Sequence, residues 1–170
     1  RSGVNGLTSA SERIVLPRSC DLVESVIDLL EENQHRAKHD DFGVEILIAD
    51  FVDAFLTLPL MEQERGYAVV TNNKEWFAYT SVPFGIGTAP LIWGRVSAFL
   101  SRLGQSVFRP WEGRIQCYVD DPGVGLAGFE RERTRAAALL LLFWGSIGSD
   151  IAWKKATLSS RQTWIGAQYV

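Results

Sequence analysis

RIQCYVDDPGVGLAG, running from Arg114 to Gly128, constrains the fold more than any other stretch of this chain. It reads as strand, tight turn, strand, and a hairpin commits that part of the chain to antiparallel sheet. Asp121-Pro122-Gly123 carries the turn chemistry. The Pro-Gly pair predicts a type II turn, which matches strand twist less well than the primed types. Two adjacent acids, Asp120 and Asp121, fall at the apex. Side by side they repel, and without a counter-charge at least one resists ionisation. Exposure to solvent at the tip is the other way such a pair is tolerated.

The segments before the hairpin alternate between helix and strand signals. Ser19 is placed to cap a helix running to about Glu32, with Leu22, Val23, Val26, Ile27, Leu29 and Leu30 as its apolar face. Asn33 to Asp41 is polar and reads as a solvent-exposed loop. Its His35 and His39 stand four apart, a helical metal-ligand spacing, but no further ligands lie nearby. Glu45 to Phe51 (EILIADF) is a short apolar run typical of a buried central strand. Gly66 to Thr80 reads as a second hairpin turning at Asn72-Asn73. Thr88 caps a further helix with Pro90 in its first turn, and Ile92, Val96, Phe99, Leu100 and Leu103 recur at helical spacing.

Beyond the central hairpin, a helix is expected from about Glu130 to Ile147. Its apolar run Ala136 to Trp144 falls short of the ~18–20 residues of a membrane span and reads as a buried helix. The last segment reads as two short strands around the polar Ser159 to Gln162. This mixed order, with a hairpin in the middle, is an α+β layout rather than regular βαβ alternation. Cys20 and Cys117 are far apart with no zinc spacing and read as reduced core thiols of an intracellular protein. The chain opens RSGVNG without Met and ends at Tyr169-Val170, which reads as part of something longer.

Asp50 is the third carboxylate of interest. It follows the apolar run at the point where a strand leaves the core. On its own it is also a common acidic strand end. If its strand pairs with the hairpin, Asp50, Asp120 and Asp121 converge on one sheet edge. Clustered carboxylates form a hard-oxygen site suited to Mg²⁺ or Mn²⁺. Two such ions can clamp the attacking and leaving oxygens of a phosphoryl displacement. The overall charge pulls the other way. With 17 Lys and Arg against 20 Asp and Glu the chain is at −3, whereas phosphate binders usually show a basic surface.

The ordered motifs resemble a known family. ADFVDAFLTLPL (Ala49 to Leu60) resembles motif A of reverse transcriptases. VPFGIGTAPLIW (Val82 to Trp93) is similar to motif B of the LTR-retrotransposon branch. CYVDD (Cys117 to Asp121) resembles the YxDD box, motif C. Gly148 to Gly166 is similar to motifs D and E, and RSGVN followed by IVLPRS resembles the end of the fingers. The resemblance implies a polymerase palm-like antiparallel sheet packed on helices. It divides the chain into a partial fingers segment with connecting helix and loop, 1–44, and a palm domain, 45–170. By the resemblance, thumb, connection and RNase H segments are expected to be missing from this sequence. It further implies an RNA-directed DNA polymerase that joins dNTPs to a primer 3′-hydroxyl on an RNA or DNA template, with two Mg²⁺ or Mn²⁺ ions and no membrane. Location would be a cytoplasmic particle or the nucleus.

Carried over position by position, the resemblance implies Asp50, Asp120 and Asp121 as metal ligands. Phe51, Val52, Asp53, Ala54 and Phe55 would face the incoming nucleotide, with Phe55 as the ring that crowds a ribose 2′-hydroxyl. Phe84, Gly85 and Pro90 would pack on the nascent pair. Lys154 or Lys155 matches the motif D lysine: Lys154 as proton donor to pyrophosphate, Lys155 as a nucleotide contact. Trp164, Ile165 and Gly166 match the primer grip. Arg1 would be the last of the basic fingers residues. Pro122 departs from the pattern, directly after the second Asp, and is expected to stiffen or misalign the tip. Two other readings stay open: an inactive or truncated element remnant that keeps the palm fold, and another two-metal palm enzyme with a different nucleotide choice.

Overall fold

Residues 12–170 are described by a computed structural model. The expectations for the opening fingers residues, Arg1 among them, lie outside the described residues. The fold is mixed α+β, with antiparallel sheets packed on helices. The described chain divides into two compact units, one containing Glu12–Val15 and Asp53–Val96, the other Leu16–Val52 and Ser97–Val170.

The larger unit is built on a four-stranded sheet. Its strands are β1 (Phe42–Ile48), β4 (Gly113–Tyr118), β5 (Asp121–Phe129) and β6 (Thr157–Ser159), in the order β4-β5-β1-β6. β1 is therefore central, as its apolar run predicts, though it starts earlier than Glu45. It pairs antiparallel with β5 from Phe42–Phe129 to Ile48–Gly123, and with β6 on its other side.

Each face of this sheet has its own cover. Helix α1 (Ser19–Glu32) lies on one face, where a Cβ on Gly125 would meet Val26 at 3.0 Å. Leu22 and Leu29 of α1 are fully buried, but Val23, Ile27 and Leu30 are exposed, so the buried face is narrower than the apolar pattern. Leu22 joins Ile46 and Trp164 in one cluster, with Ile48, Ile165 and Tyr169 against it. The helix starts as expected, except that Arg18 holds the cap position and its N–H donates to Asp21 Oδ2 at 2.6 Å.

The other face carries α3 (Glu130–Ser146) and the C-terminal half of α2 (Ala89–Gln105). Ala136, Ala137, Leu140 and Trp144 of α3 are buried, while Leu139 and Leu142 are exposed, so only one side of that apolar run enters the core. On α2 the buried positions are Ala89, Trp93, Ser97, Leu100 and Gly104. That stripe lies one step round from the expected one, since Ile92 and Phe99 are exposed. Small residues explain the offset. A Cβ on Gly104 would meet Leu140 at 2.8 Å and Trp144 at 3.1 Å, so the helix approaches closest where its side chains are smallest.

Asn33 corrects the loop reading. It is 1% exposed, and its amide donates to the carbonyls of Leu29 and Trp111 at 2.8 and 2.9 Å. A buried amide is retained where it satisfies otherwise orphaned backbone oxygens. The thiols also differ from expectation, because Cys20 is exposed and only Cys117 is largely enclosed; neither forms a disulfide. The C-terminal segment forms three strands rather than two. β6 joins the large sheet, while β7 (Gln162–Trp164) and β8 (Ala167–Tyr169) form a separate hairpin turning at Ile165-Gly166.

The smaller unit carries the second hairpin, β2 (Val69–Asn72) and β3 (Glu75–Ala78). Its turn falls at Asn73-Lys74, one residue later than expected, and both take positive φ (49° and 67°). Positive φ at both central positions is the type I′ geometry that suits strand twist. No helix among the described residues is long and apolar enough to cross a membrane.

Candidate active site

The register of β1 against β5 positions the carboxylates. Beyond Ile48–Gly123 the pairing continues through Ala49 N–H to the Pro122 carbonyl at 3.1 Å and Phe51 N–H to the Asp120 carbonyl at 3.0 Å. Asp50 lies between these bonds and so stands opposite Asp121. On the other side, Ala152 N–H donates to the Asp50 carbonyl and Val52 N–H to the Asp150 carbonyl, both at 2.9 Å. Asp50 is thus held by backbone on two flanks. Strand alternation sends its neighbours inward: Ala49 is 1% and Phe51 3% exposed, and the Phe51 ring meets Trp144 edge-on at 5.2 Å. Asp50 takes the opposite face.

The hairpin tip differs from the sequence expectation. Tyr118 pairs with Asp121 and Cys117 with Pro122, so the turn is Val119-Asp120 and Pro122 lies within β5. Val119 takes φ 58° at the first turn position. A type II′ turn places Gly there, and a β-branched residue at positive φ is held against a cost of ~1–3 kcal/mol. Pro122 is buried. Its missing N–H leaves the Ala49–Pro122 pair with a single hydrogen bond.

Three carboxylates therefore occupy neighbouring positions, with Lys155 paired to Asp50 among the described residues. Directly opposed strand residues bring their Cβ atoms to about 4.5–5.5 Å, where like charges repel. Burial, followed for Asp121 by the charges of Asp120 and Asp50, raises the pKa of that carboxyl above the usual range. Asp120 is raised as well, first by burial and then by Asp50. Lys155 donates to Asp50 Oδ2, and that bond raises the lysine's own pKa. Lys154, by contrast, is exposed and makes no ion pair among the described residues. The lysine beside the carboxylates is Lys155.

Trp164 is buried, at 2% exposed, rather than surface-lining. Its indole N–H donates to the Asp121 carbonyl at 3.0 Å. Its ring fills the space beside Gly123, where a Cβ would meet it at 2.9 Å. A glycine inside a strand is the signal for such close approach, and that signal was present in the sequence. Ile165 and Gly166 follow as the turn of the β7–β8 hairpin, both with positive φ (42° and 81°).

The remaining site residues belong mostly to the smaller unit. Phe55 is 7% exposed, its ring edge-on to Phe84 at 5.1 Å and tilted against Trp93 at 6.2 Å. Phe84 is exposed, Gly85 takes φ 91°, and Pro90 is the exposed second residue of α2. Asp53 is exposed with φ 48°. Val52, in the larger unit, is exposed. Ala54 is 2% and Phe51 3% exposed, so both side chains are buried.

In kind, the donors fit a hard divalent ion, since all are carboxylate oxygens. Among the described residues, no group of three or more His, Cys, Asp or Glu side chains is already arranged to hold a metal, His35 and His39 included. One Asp50 oxygen is instead occupied by the Lys155 ammonium.

No family model and no curated protein matches the sequence. Solved structures do. The native Prototype Foamy Virus protease-reverse transcriptase is similar with TM-score 0.59 and 16% identity, over 74% of this chain and 16% of that one. The foamy viral protease-reverse transcriptase dRH in complex with double-stranded DNA is similar with TM-score 0.61 and 17% identity, over 73% of this chain and 20% of that one. The foamy viral enzyme in complex with an RNA/DNA hybrid gives 0.55 and 19%, over 73% of this chain and 16% of that one. The fold is reverse-transcriptase-like. The chain spans only 16–20% of the length of these structures.

Proposed function

We propose that this chain is the palm region of an RNA-directed DNA polymerase of LTR-retrotransposon type, adding dNTPs to a primer 3′-hydroxyl. The observation that carries the reading is Asp50 opposite Asp121, with Asp120 at the adjoining turn, on the central strands of a reverse-transcriptase-like fold. Solved neighbours hold double-stranded DNA or an RNA/DNA hybrid, which supports a template-primer as the partner here.

In this reading Asp50, Asp120 and Asp121 hold two Mg²⁺ or Mn²⁺ ions. When bound, these supply activation of the primer hydroxyl and neutralisation of the triphosphate. Lys155, already beside the carboxylates, takes the role of proton donor to pyrophosphate that the motif pattern leaves between it and Lys154. Phe55, packed against Phe84 and Trp93 in the smaller unit, takes the role of sugar discrimination that the motif pattern gives it. A second reading, a palm-fold remnant without activity, is favoured by the Lys155–Asp50 ion pair and by the lack of a ready metal cluster among the described residues.

The thermal midpoint of the purified chain, measured with Mn²⁺ and a dNTP beside an Asp50→Asn/Asp120→Asn variant, separates the two. A ligand that binds only the folded state raises the midpoint by mass action. A rise in the wild type that disappears in the variant supports the polymerase reading. No rise in a cooperatively folding wild type refutes the metal site and favours the remnant.

A further inference from the structure

The C-terminal hairpin offers the larger unit an anchor that local structure at the carboxylates lacks. The tip is held at positive φ at a β-branched residue, and the Ala49–Pro122 pair carries only one hydrogen bond. Both features weaken the local hold on Asp121. Trp164, 43 residues away in sequence, compensates. Its ring is locked among Leu22 and Ile46, and its N–H reaches the carbonyl of Asp121 itself. Asp121 and Gly123 share a strand face, so the ring that fills the Gly123 position lies next to the carboxylate along the strand. At 2% exposed, Trp164 has no surface left to offer a nucleic-acid strand.

We propose that Trp164 is a positioning residue that sets Asp121 for metal binding through its indole N–H and its packing on Gly123, rather than a contact to primer. The inference rests on the reading of Asp50, Asp120 and Asp121 as metal ligands. Removing the N–H frees the Asp121 carbonyl, and the carboxylate then samples orientations that do not converge with Asp50. Groups that orient a metal's ligands typically change its affinity by ~10–100-fold when they are removed.

Trp144 provides the control. It is also buried in the larger unit, and its N–H donates to the Leu100 carbonyl at 3.2 Å on α2, so removing that N–H leaves the hydrogen bonds of the carboxylate strands in place, while the ring that Phe keeps still meets Phe51 beside Asp50. Titrating the purified chain with Mn²⁺ alone, read by water-proton relaxation, compares Trp164→Phe, Trp144→Phe and wild type, with urea unfolding measured on each. The expected result is a roughly tenfold loss of Mn²⁺ affinity in Trp164→Phe and none in Trp144→Phe. Equal affinities in all three, or equal losses in both variants, overturn the proposal. If Trp164→Phe does not fold, the wild-type indole spectrum decides. The Trp164 N–H should exchange slowly and shift on adding Mg²⁺, and a resonance unmoved by Mg²⁺ overturns the proposal. A flat wild-type Mn²⁺ titration is a different failure, refuting the metal-ligand reading itself and this inference with it.

Discussion

Gly123→Ala tests the packing under Asp121 in a single methyl group. The added Cβ would lie 2.9–3.2 Å from three atoms of the Trp164 indole, a rigid ring already held in the core cluster. Overpacking of that kind costs ~1–3 kcal/mol. The same substitution also trims the freedom of the unfolded chain, a gain of about 0.4–1 kcal/mol. The net expectation is a loss of roughly 1–2 kcal/mol, or about 2–8 °C in the midpoint of a domain this size.

Gly145→Ala supplies the opposite case. It stands in the last turn of α3 with nothing within 4 Å of the new Cβ, so only the gain remains and the midpoint should rise. Chemical change and entropy gain are alike at the two positions, so the difference between them isolates packing. Differential scanning fluorimetry with urea unfolding reads both. Adding Trp164→Phe to Gly123→Ala should recover part of the loss, because coupled neighbours depart from additivity. A midpoint that rises for Gly123→Ala as it does for Gly145→Ala would refute the close approach, and with it the anchoring of Asp121.

Asp121→Asn should stabilise the fold, by about 0.2–1 kcal/mol after allowing for solvent screening of a partly exposed group. Its raised pKa means that stability present at acid pH is lost as pH rises through the folded-state value, so the gain from Asn should appear on the neutral side and vanish at low pH in urea titrations. Cys117 is pushed up to about 12 by burial, whereas Cys20 is exposed. A thiol reagent at pH 8 should therefore label one cysteine in the native chain and two in denaturant; two labelled natively would refute the enclosure of Cys117. Phe55→Ala, placed in a complete polymerase, should relax rejection of rNTPs by about tenfold or more in primer extension. Unchanged discrimination would show that the Phe55 ring is not the gate.

Much of the local structure was legible before any coordinates. Among the described residues the three α-helices, the central strand leading to Asp50 and the existence of an acidic hairpin, though not its turn, follow from periodicity and propensity, because those are set by neighbours in sequence. Elements were misread where a distant partner decides. The buried stripe of α2 moved to Ser97 and Gly104 because close approach to Leu140 and Trp144 favours small residues over the larger apolar ones. Asn33 is enclosed because the Trp111 carbonyl needs a donor, a demand that arises 78 residues away.

The candidate site divides along the same line. The sequence by itself determined which residues carry carboxylates and that two of them stand side by side near the tip of a hairpin. Only the tertiary structure decided that Asp50 faces Asp121, since that depends on the register of β1 against β5. It also moved Pro122 out of the turn, put Lys155 rather than Lys154 beside Asp50, and placed the Trp164 indole N–H on the Asp121 carbonyl. The physical reason is common to all of these. Propensity and turn chemistry act over a few residues, whereas strand register, ion pairing and core packing are settled among groups that meet only when the chain has folded.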